Sequence, residues 1–283
     1  MGLYLGSTDI SGASFYLGSS EVSALYLGST ELYSAGGGQI TTGLIYDYNY
    51  NTWDGGSTVT DNSDYSNNLT RVGTVSQGTD GAGGKYASFV NGGSYMYAQM
   101  SAGSKIPVEA GFTTPFTVEM VLYFTVSEKF HDHVGVWVSS DLAGNSSRAM
   151  IQNVWQYDTQ VGGVGTGGIL PAFPNYYAAT NAPVYASTWY HLVYTYTSTP
   201  SNNKCYVNGT PYSVSFTDRL TAANWNTEGQ GNITNYYMTV GGDAGNRNPK
   251  VRVATHRMYN VELNSSEVAS QYAYWQSIGY TGL

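Results

Sequence analysis

From about residue 43 to about residue 260, short apolar stretches rich in Val, Ile, Tyr, Phe and Thr alternate with clusters of Gly, Asn, Ser and Asp. Regular strands and turns without intervening helices are typical of a β-sandwich or barrel. The stretch FTVEMVLYF at 116–124 shows partial alternation of apolar and polar residues, which predicts a strand with one inward face. Asn208-Gly209 is a strong hairpin signal. The pattern therefore predicts an all-β sandwich.

One helix is predicted near the C-terminus, in the sequence LNSSEVASQYAYW. Asn264 can accept hydrogen bonds from the first backbone N–H groups, and Glu267, three residues later, can reach back as in a capping box. Val268, Tyr272 and Trp275 then fall on one face of the helix. We expect this short helix to pack on the sandwich.

The N-terminus carries three near-copies of one heptad, YLGSTDI, YLGSSEV and YLGSTEL. Each copy reads as a hairpin whose arms are too short to be stable alone, so it must lie on another surface. That surface could belong to the chain itself, to a sister subunit or to a different protein, or the repeats could add strands to the main sheet. The residues expected to dock are Tyr4, Leu5, Tyr16, Leu17, Tyr26 and Leu27.

A run of glycines follows the repeats and reads as a flexible joint. We therefore predict a repeat arm over 1–35, a Gly-rich linker over 36–42 and the sandwich over 43–283. No apolar run approaches the ~18 residues of a membrane span, and no export signal is visible. The one cysteine, Cys205, excludes an intramolecular disulfide and is expected to be a packing residue.

Charge is sparse and unevenly distributed. Charged residues make up 11% of the chain, the formal net charge is −8, and acidic residues from Asp9 onward precede the first basic residue, Arg71. An acidic front end repels phosphate, so nucleic-acid binding through it is not expected. The acidic face could be solvated or could dock on a basic partner.

Several motifs, in order, resemble the concanavalin A-like, laminin G-like jelly-roll superfamily over roughly residues 43 to 275. They are KYASFVNGGSYMYA, PFTVEMVLYF, STWYHLVYTY with KCYVNGTPY, and VRVATHRMYNVELNSSEVASQY. The resemblance implies a jelly-roll sandwich in which His191, in the Trp-x-His strand, is structural. It also implies that Ca²⁺ or glycans are candidate ligands.

The candidate Ca²⁺ ligands are hard oxygen donors in two loops, Asp61, Asp64, Asn67 and Asp243. Turns favour Asp and Asn for backbone reasons as well, so both interpretations stay open. For glycans we expect exposed aromatic rings in or beside long polar loops to stack on sugars. The candidates are Trp155, Tyr157, Tyr176, Tyr177, Trp225, Tyr236 and Tyr237.

Jelly rolls of this type include glycoside hydrolases, but no strand of this chain carries the Glu-x-Asp-x-Glu type of carboxylate pair. We therefore expect no enzymatic activity.

The YLGST-type repeats resemble those on tail-, fibre- and capsid-associated proteins of bacteriophages. This resemblance implies a homo-oligomeric virion protein, held on other virion proteins by the arm and displaying a lectin-like sandwich for decoration or glycan adhesion. A bacterial or secreted carbohydrate-binding adhesin at the cell surface is the alternative, and a polysaccharide hydrolase is less favoured.

Overall fold

The structure is a computed structural model. It describes residues 39–89, 93–100, 115–125, 187–197, 202–212, 238–241 and 251–283 with their side chains. It describes a further set of strands by their backbone alone, namely those of the N-terminal arm, 132–138, 149–159, 166–173, 176–180, 213–216 and 236–237.

The described residues form 22 strands and one helix. The N-terminal arm contains β1 (Tyr4–Leu5), β2 (Thr8–Asp9), β3 (Tyr16–Leu17), β4 (Ser20–Glu21), β5 (Ala24–Leu27) and β6 (Thr30–Ser34). The remaining elements are β7 (Leu44–Asn49), β8 (Thr58–Val59), β9 (Leu69–Val72), β10 (Val75–Thr79), β11 (Lys85–Phe89), β12 (Tyr95–Met100), β13 (Phe116–Phe124), β14 (Asp132–Val138), β15 (Ala149–Thr159), β16 (Thr166–Phe173), β17 (Tyr176–Thr180), β18 (Trp189–Tyr196), β19 (Lys204–Val207), β20 (Thr210–Phe216), β21 (Tyr236–Val240), β22 (Val251–Tyr259) and helix α1 (Ser265–Ile278).

Each N-terminal repeat forms an antiparallel pair of its own. β1 pairs with β2, β3 with β4, and β5 with β6, so that the first Tyr of each copy lies opposite its acidic residue, as in Tyr4 opposite Asp9. The side chains of the six predicted docking residues lie outside the described set. Their docking role stays a prediction.

Two antiparallel sheets enclose the core. The larger has twelve strands in the order β10-β11-β22-β13-β18-β19-β20-β17-β16-β15-β14, with β7 also paired to β22, and the smaller has the order β21-β12-β9-β8. One apolar cluster joins them, with Phe116, Met120 and Leu192 from the larger sheet and Met96 and Val240 from the smaller. The predicted fold class, an all-β sandwich with a short C-terminal helix, is confirmed.

Strand β13 differs from its predicted pattern, because eight of its nine residues are buried. The face opposite the core is covered by α1, whose Val268 and Trp275 are fully buried. The helix begins as predicted. The Asn264 side chain accepts from the N–H groups of Ser266 and Glu267, and the Glu267 carboxylate accepts from the N–H of Asn264.

The chain joins the sandwich before residue 43. Gln39 Nε2 donates to Asp47 Oδ2 at 2.9 Å, and Ile40 packs against a cluster that includes Leu44 and Tyr259. These two residues of the predicted linker therefore contact the sandwich. Within the described part of the chain, no helix is long and apolar enough to cross a membrane.

Candidate functional site

The larger sheet has a core face and an outer face. The pairing register between neighbouring strands shows which residues lie on each face. On β19, Cys205 and Val207 belong to the core between the sheets, whereas Tyr206 lies on the outer face and contacts Ser265 of α1. Paired residues of antiparallel strands lie on the same face, and positions alternate along each strand. Tyr206 pairs with Pro211 of β20, which places positions 211, 213 and 215 on the outer face.

The same register continues into β17, β16 and β15. Ser215 pairs with Ala179, so position 177 is also on the outer face. Tyr177 then pairs with Ala172 of β16. Two and four residues before Ala172 on that strand, Leu170 pairs with Trp155 and Gly168 pairs with Tyr157 of β15.

Three of the predicted glycan-binding residues thus share one outer surface. Trp155, Tyr157 and Tyr177 occupy outer-face positions, whereas Tyr176, paired with Phe173, occupies a core-face position. The sequence prediction placed these aromatic residues in or beside loops. Trp155 and Tyr157 lie inside β15, whereas Tyr176 and Tyr177 are the first two residues of β17.

The smaller sheet contributes a fourth position. Tyr237 of β21 pairs with Gln99 of β12, which is exposed, while Tyr236 pairs with the buried Met100. Strand β14, at the end of the larger sheet, runs alongside β21. We call the outer surface formed by positions 155, 157, 177 and 237 the front face. Trp225 lies outside the described residues.

The predicted Ca²⁺ loop is organised by hydrogen bonds from protein groups. Asp61 is buried, and its Oδ1 accepts from the N–H groups of Asp47 and Ser63 at 2.9 and 3.0 Å. Its Oδ2 accepts from the Asn67 N–H and the Ser63 hydroxyl, both at 2.9 Å. A cation at Asp61 would have to replace these four donors, so this carboxylate does not fit a metal ligand.

The other predicted ligands add little at this position. Asp64 is exposed, Asn67 is buried, and Asp243 lies outside the described residues. Among the residues described with side chains, no three His, Cys, Asp or Glu side chains form a group that could hold a metal ion. The described loop therefore favours the structural interpretation of Asp61.

A buried polar cluster lies between the outer face of the larger sheet and α1. Arg257 of β22 donates through Nε to Asp47 Oδ1 at 2.6 Å, and its Nη1 lies 3.8 Å from Glu119 Oε2. Glu119 accepts from His191 Nε2 at 3.0 Å and from Trp275 Nε1 at 2.7 Å. The Glu119 carboxylate thus links α1 to β13, β18 and β22.

The electrostatics favour the ionised form of Glu119. Burial raises the pKa of Glu119, but the hydrogen bond from His191 and the charge of Arg257 outweigh it and lower the pKa to about 2. Burial and the adjacent Glu119 raise the pKa of Tyr259, whose hydroxyl donates to Glu119 Oε2 at 2.6 Å.

The cluster has no open side for a substrate. Glu119, His191, Arg257 and Tyr259 are each 0% exposed, and a tyrosine with a raised pKa is a poor nucleophile. As the sequence predicted, His191 is structural. Sequence reasoning identified the strands that carry these residues but not the contacts by which Asp47 on β7 and Arg257 on β22 join Glu119 and His191.

Comparisons with known proteins address the fold. No protein-family model matches this chain, and the search of curated proteins gives no match. Among solved structures, Trypanosoma rangeli sialidase in complex with 2,3-difluorosialic acid as a covalent intermediate is 15% identical, with a TM-score of 0.57, covering 91% of this chain and 37% of that one. The same sialidase with sialic acid is 15% identical at a TM-score of 0.56, covering 86% and 35%.

Another similar structure is domain 4 of an extracellular arabinanase from Geobacillus stearothermophilus in complex with arabinotriose. It is 16% identical, covers 83% of this chain and 100% of that one, and has a TM-score of 0.48. The chain spans little more than a third of the length of the sialidases it matches.

The sialidase matches correct one prediction. The expectation that this chain is not an enzyme is contradicted, because the fold is shared with glycan-cleaving proteins. The expectation rested on a missing strand with paired carboxylates, and that criterion does not apply to every glycosidase: sialidases use a tyrosine nucleophile. At this level of identity the similarity shows the fold alone, a β-sandwich that matches part of the sialidase chain.

Proposed function

We propose that the sandwich recognises glycans through the front face. The observation that carries the proposal is the strand register, which assigns Trp155 and Tyr157 on β15 and Tyr177 on β17 to one outer surface, with β16 between the two strands. Aromatic rings combine a large apolar face with little conformational entropy to lose, which suits the faces of sugar rings. The fold shared with sialidases supports the same class of ligand.

The spacing of these positions suits an extended ligand. Trp155 and Tyr157 are two residues apart on β15, a separation of about 7 Å, and β17 lies two strands away at about 10 Å. Each ring contributes little binding free energy, so one chain is expected to bind weakly and clustered copies to bind firmly.

A glycan array probed with the full chain, as monomer and as streptavidin-clustered tetramer, tests the proposal. The Trp155→Ala/Tyr157→Ala double variant should lose the clustered signal, because both rings leave the front face. Tyr176→Ala is the matched control. It removes a neighbouring aromatic ring from a core-face position, so it should lower thermal stability and leave the array pattern unchanged. A blank array for both forms of the wild-type chain, or an unchanged pattern for the double variant, would contradict the proposal.

We also propose that the N-terminal arm displays this sandwich on a phage particle in many copies, with docking through the six Tyr and Leu residues of the repeats. Three successive hairpins with the same register support a repeated docking contact. Electron microscopy of the native source, with antibody against the sandwich, distinguishes a virion from the alternative, an adhesin on a cell surface. Labelled cell envelopes without labelled particles would favour the adhesin.

Glycan cleavage is the second candidate, favoured by the similarity to the sialidases. Incubation of pure protein with sialyl-oligosaccharides, followed by chromatography of released sialic acid, tests it. Catalysed release at a rate that scales with protein concentration would establish the second candidate. Retention of the intact oligosaccharide on a column of immobilised protein would favour recognition alone.

A further inference from the structure

Arg252 of β22 is held on an aromatic platform at the outer face of the larger sheet. Its guanidinium carbon lies 4.5 Å from the ring centroid of Tyr123 on β13 and 4.9 Å from that of Tyr86 on β11. Trp189 packs against both tyrosines, with centroid distances of 5.4 and 5.5 Å. This row crosses four strands and is separate from the front face.

The platform is rigid. A Cβ atom on Gly78 would lie 2.4 Å from the Tyr86 ring, so the absence of a side chain there allows that ring to lie over β10. Trp189 is fully buried, and its Nε1 donates to Asp80 Oδ1 at 2.9 Å. The guanidinium therefore rests on rings that cannot easily move.

The N–H groups of Arg252 remain available. Arg252 is partly exposed, and within the described part of the chain no carboxylate or carbonyl accepts a hydrogen bond from it. Asp80, on the far side of Trp189, forms no ion pair with it. The Asp80 carboxylate instead accepts from the Thr281 hydroxyl at 2.5 Å and from the N–H groups of Thr281 and Ala82 at 2.8 and 3.1 Å.

A guanidinium stacked on rings keeps its in-plane donors free, and these match the two oxygens of a carboxylate in a bidentate pair. We propose that Arg252, on the platform of Tyr86 and Tyr123, binds the carboxylate of an acidic saccharide. Solvation costs are reduced because the stacked arginine is already partly removed from water.

A saccharide fits this surface better than an acidic peptide. Among the residues described with side chains, the only large exposed apolar residue is Val261, on the segment that follows the opposite end of β22. A peptide would need such apolar contacts to anchor it, whereas sugar hydroxyls suit a polar surround. The choice of a saccharide rests on the proposed glycan recognition, while the anion site itself does not.

Calorimetric titration of the full chain with trigalacturonic acid, and with its carboxyl-reduced neutral counterpart, tests the site. We expect binding of the acid and at least roughly tenfold weaker binding of the neutral sugar, the difference expected for one bidentate contact. Arg252→Gln should abolish the preference. Arg252→Lys retains the charge but lacks the planar fork, so it should weaken acid binding by roughly three- to tenfold. Lys85→Gln removes an exposed positive charge from β11 and should change affinity less than about twofold.

The outcomes separate this site from the front face. If the Trp155→Ala/Tyr157→Ala variant binds the acid as the wild type does, the Arg252 site stands whatever the array shows. Equal affinity of the wild type for acid and neutral sugar, or undiminished acid binding by Arg252→Gln of wild-type thermal stability, would overturn the proposal. Equal binding of hexaglutamate would overturn the assignment to a saccharide.

Discussion

At the scale of single residues, the sandwich depends on a few buried polar groups that unite distant parts of the chain. Glu119 and His191 are 72 residues apart, and Arg257 and Asp47 are 210 apart. The sequence indicated the strands that carry Glu119 and His191, but the contacts between them depend on pairing across the sheet. Local pattern does not determine such pairing.

We predict that Glu119→Gln lowers the free energy of unfolding by about 3 kcal/mol or more. The substitution removes a buried charge beside Arg257, and the new side-chain NH2 group must face a donor that the carboxylate now accepts from. Urea unfolding measures the change. Asp64→Asn, at an exposed acidic position, is the matched control and should change stability by less than about 0.5 kcal/mol. Equal effects of the two substitutions would show that the cluster is not important for stability.

The buried His256 is expected to make the stability of the fold depend on pH. His256 is fully buried, neither ring nitrogen has a hydrogen-bond partner among the described residues, and burial lowers its pKa to about 3. The unfolded chain takes up this proton near pH 6.5 and the folded chain does not, so stability falls as the pH falls from about 6.5 towards 3.

Between pH 7 and 5 this loss should be about 2 kcal/mol. His256→Phe keeps a ring beside Tyr46, which stacks on the imidazole, and removes the titrating group. Its unfolding free energy should therefore change much less over the same pH range. Parallel pH profiles for the variant and the wild type, measured by urea unfolding, would show that another group controls the acid response.

At the scale of elements, the sequence predicted the features that depend on residues close together in the chain. Asn264 and Glu267 predicted the start of the helix, and Asn208-Gly209 the hairpin between β19 and β20. Which of two neighbouring tyrosines lies on the outer face was not predictable. Tyr176 and Tyr177 are adjacent and chemically identical, and only the register with β16 separates them.

The end of α1 offers a matched test of its packing on the β10–β11 turn. Gly279 has φ of 95°, and a Cβ atom there would lie 2.5 Å from the carbonyl oxygen of Ala82. Gly282 has φ of 82°, but a Cβ atom there would meet nothing within 4 Å.

Both Gly→Ala substitutions should introduce backbone strain of about 1 kcal/mol. Gly279→Ala should cost clearly more, because a backbone atom must also move. Thermal unfolding of the two variants measures the difference, and equal losses would mean that the helix end does not press against the turn.

At the scale of the whole molecule, the arm and the sandwich are expected to be separable, with the junction at Gln39. Deleting residues 1–35 should leave the thermal unfolding midpoint of the sandwich nearly unchanged, since each repeat pairs only with itself in the described sheets. Deleting residues 1–40 should lower stability by about 1–3 kcal/mol, because it also removes the Gln39–Asp47 hydrogen bond and the packing of Ile40. Identical stability of the two deletions would place the junction elsewhere.

The central claim, glycan recognition by the front face, is tested most directly by a crystal structure of the full chain soaked with the oligosaccharide that gives the strongest array signal. The account predicts sugar rings stacked on Trp155, Tyr157 or Tyr177, across β15, β16 and β17. An oligosaccharide bound elsewhere, with the front face bare at saturating ligand, would contradict it.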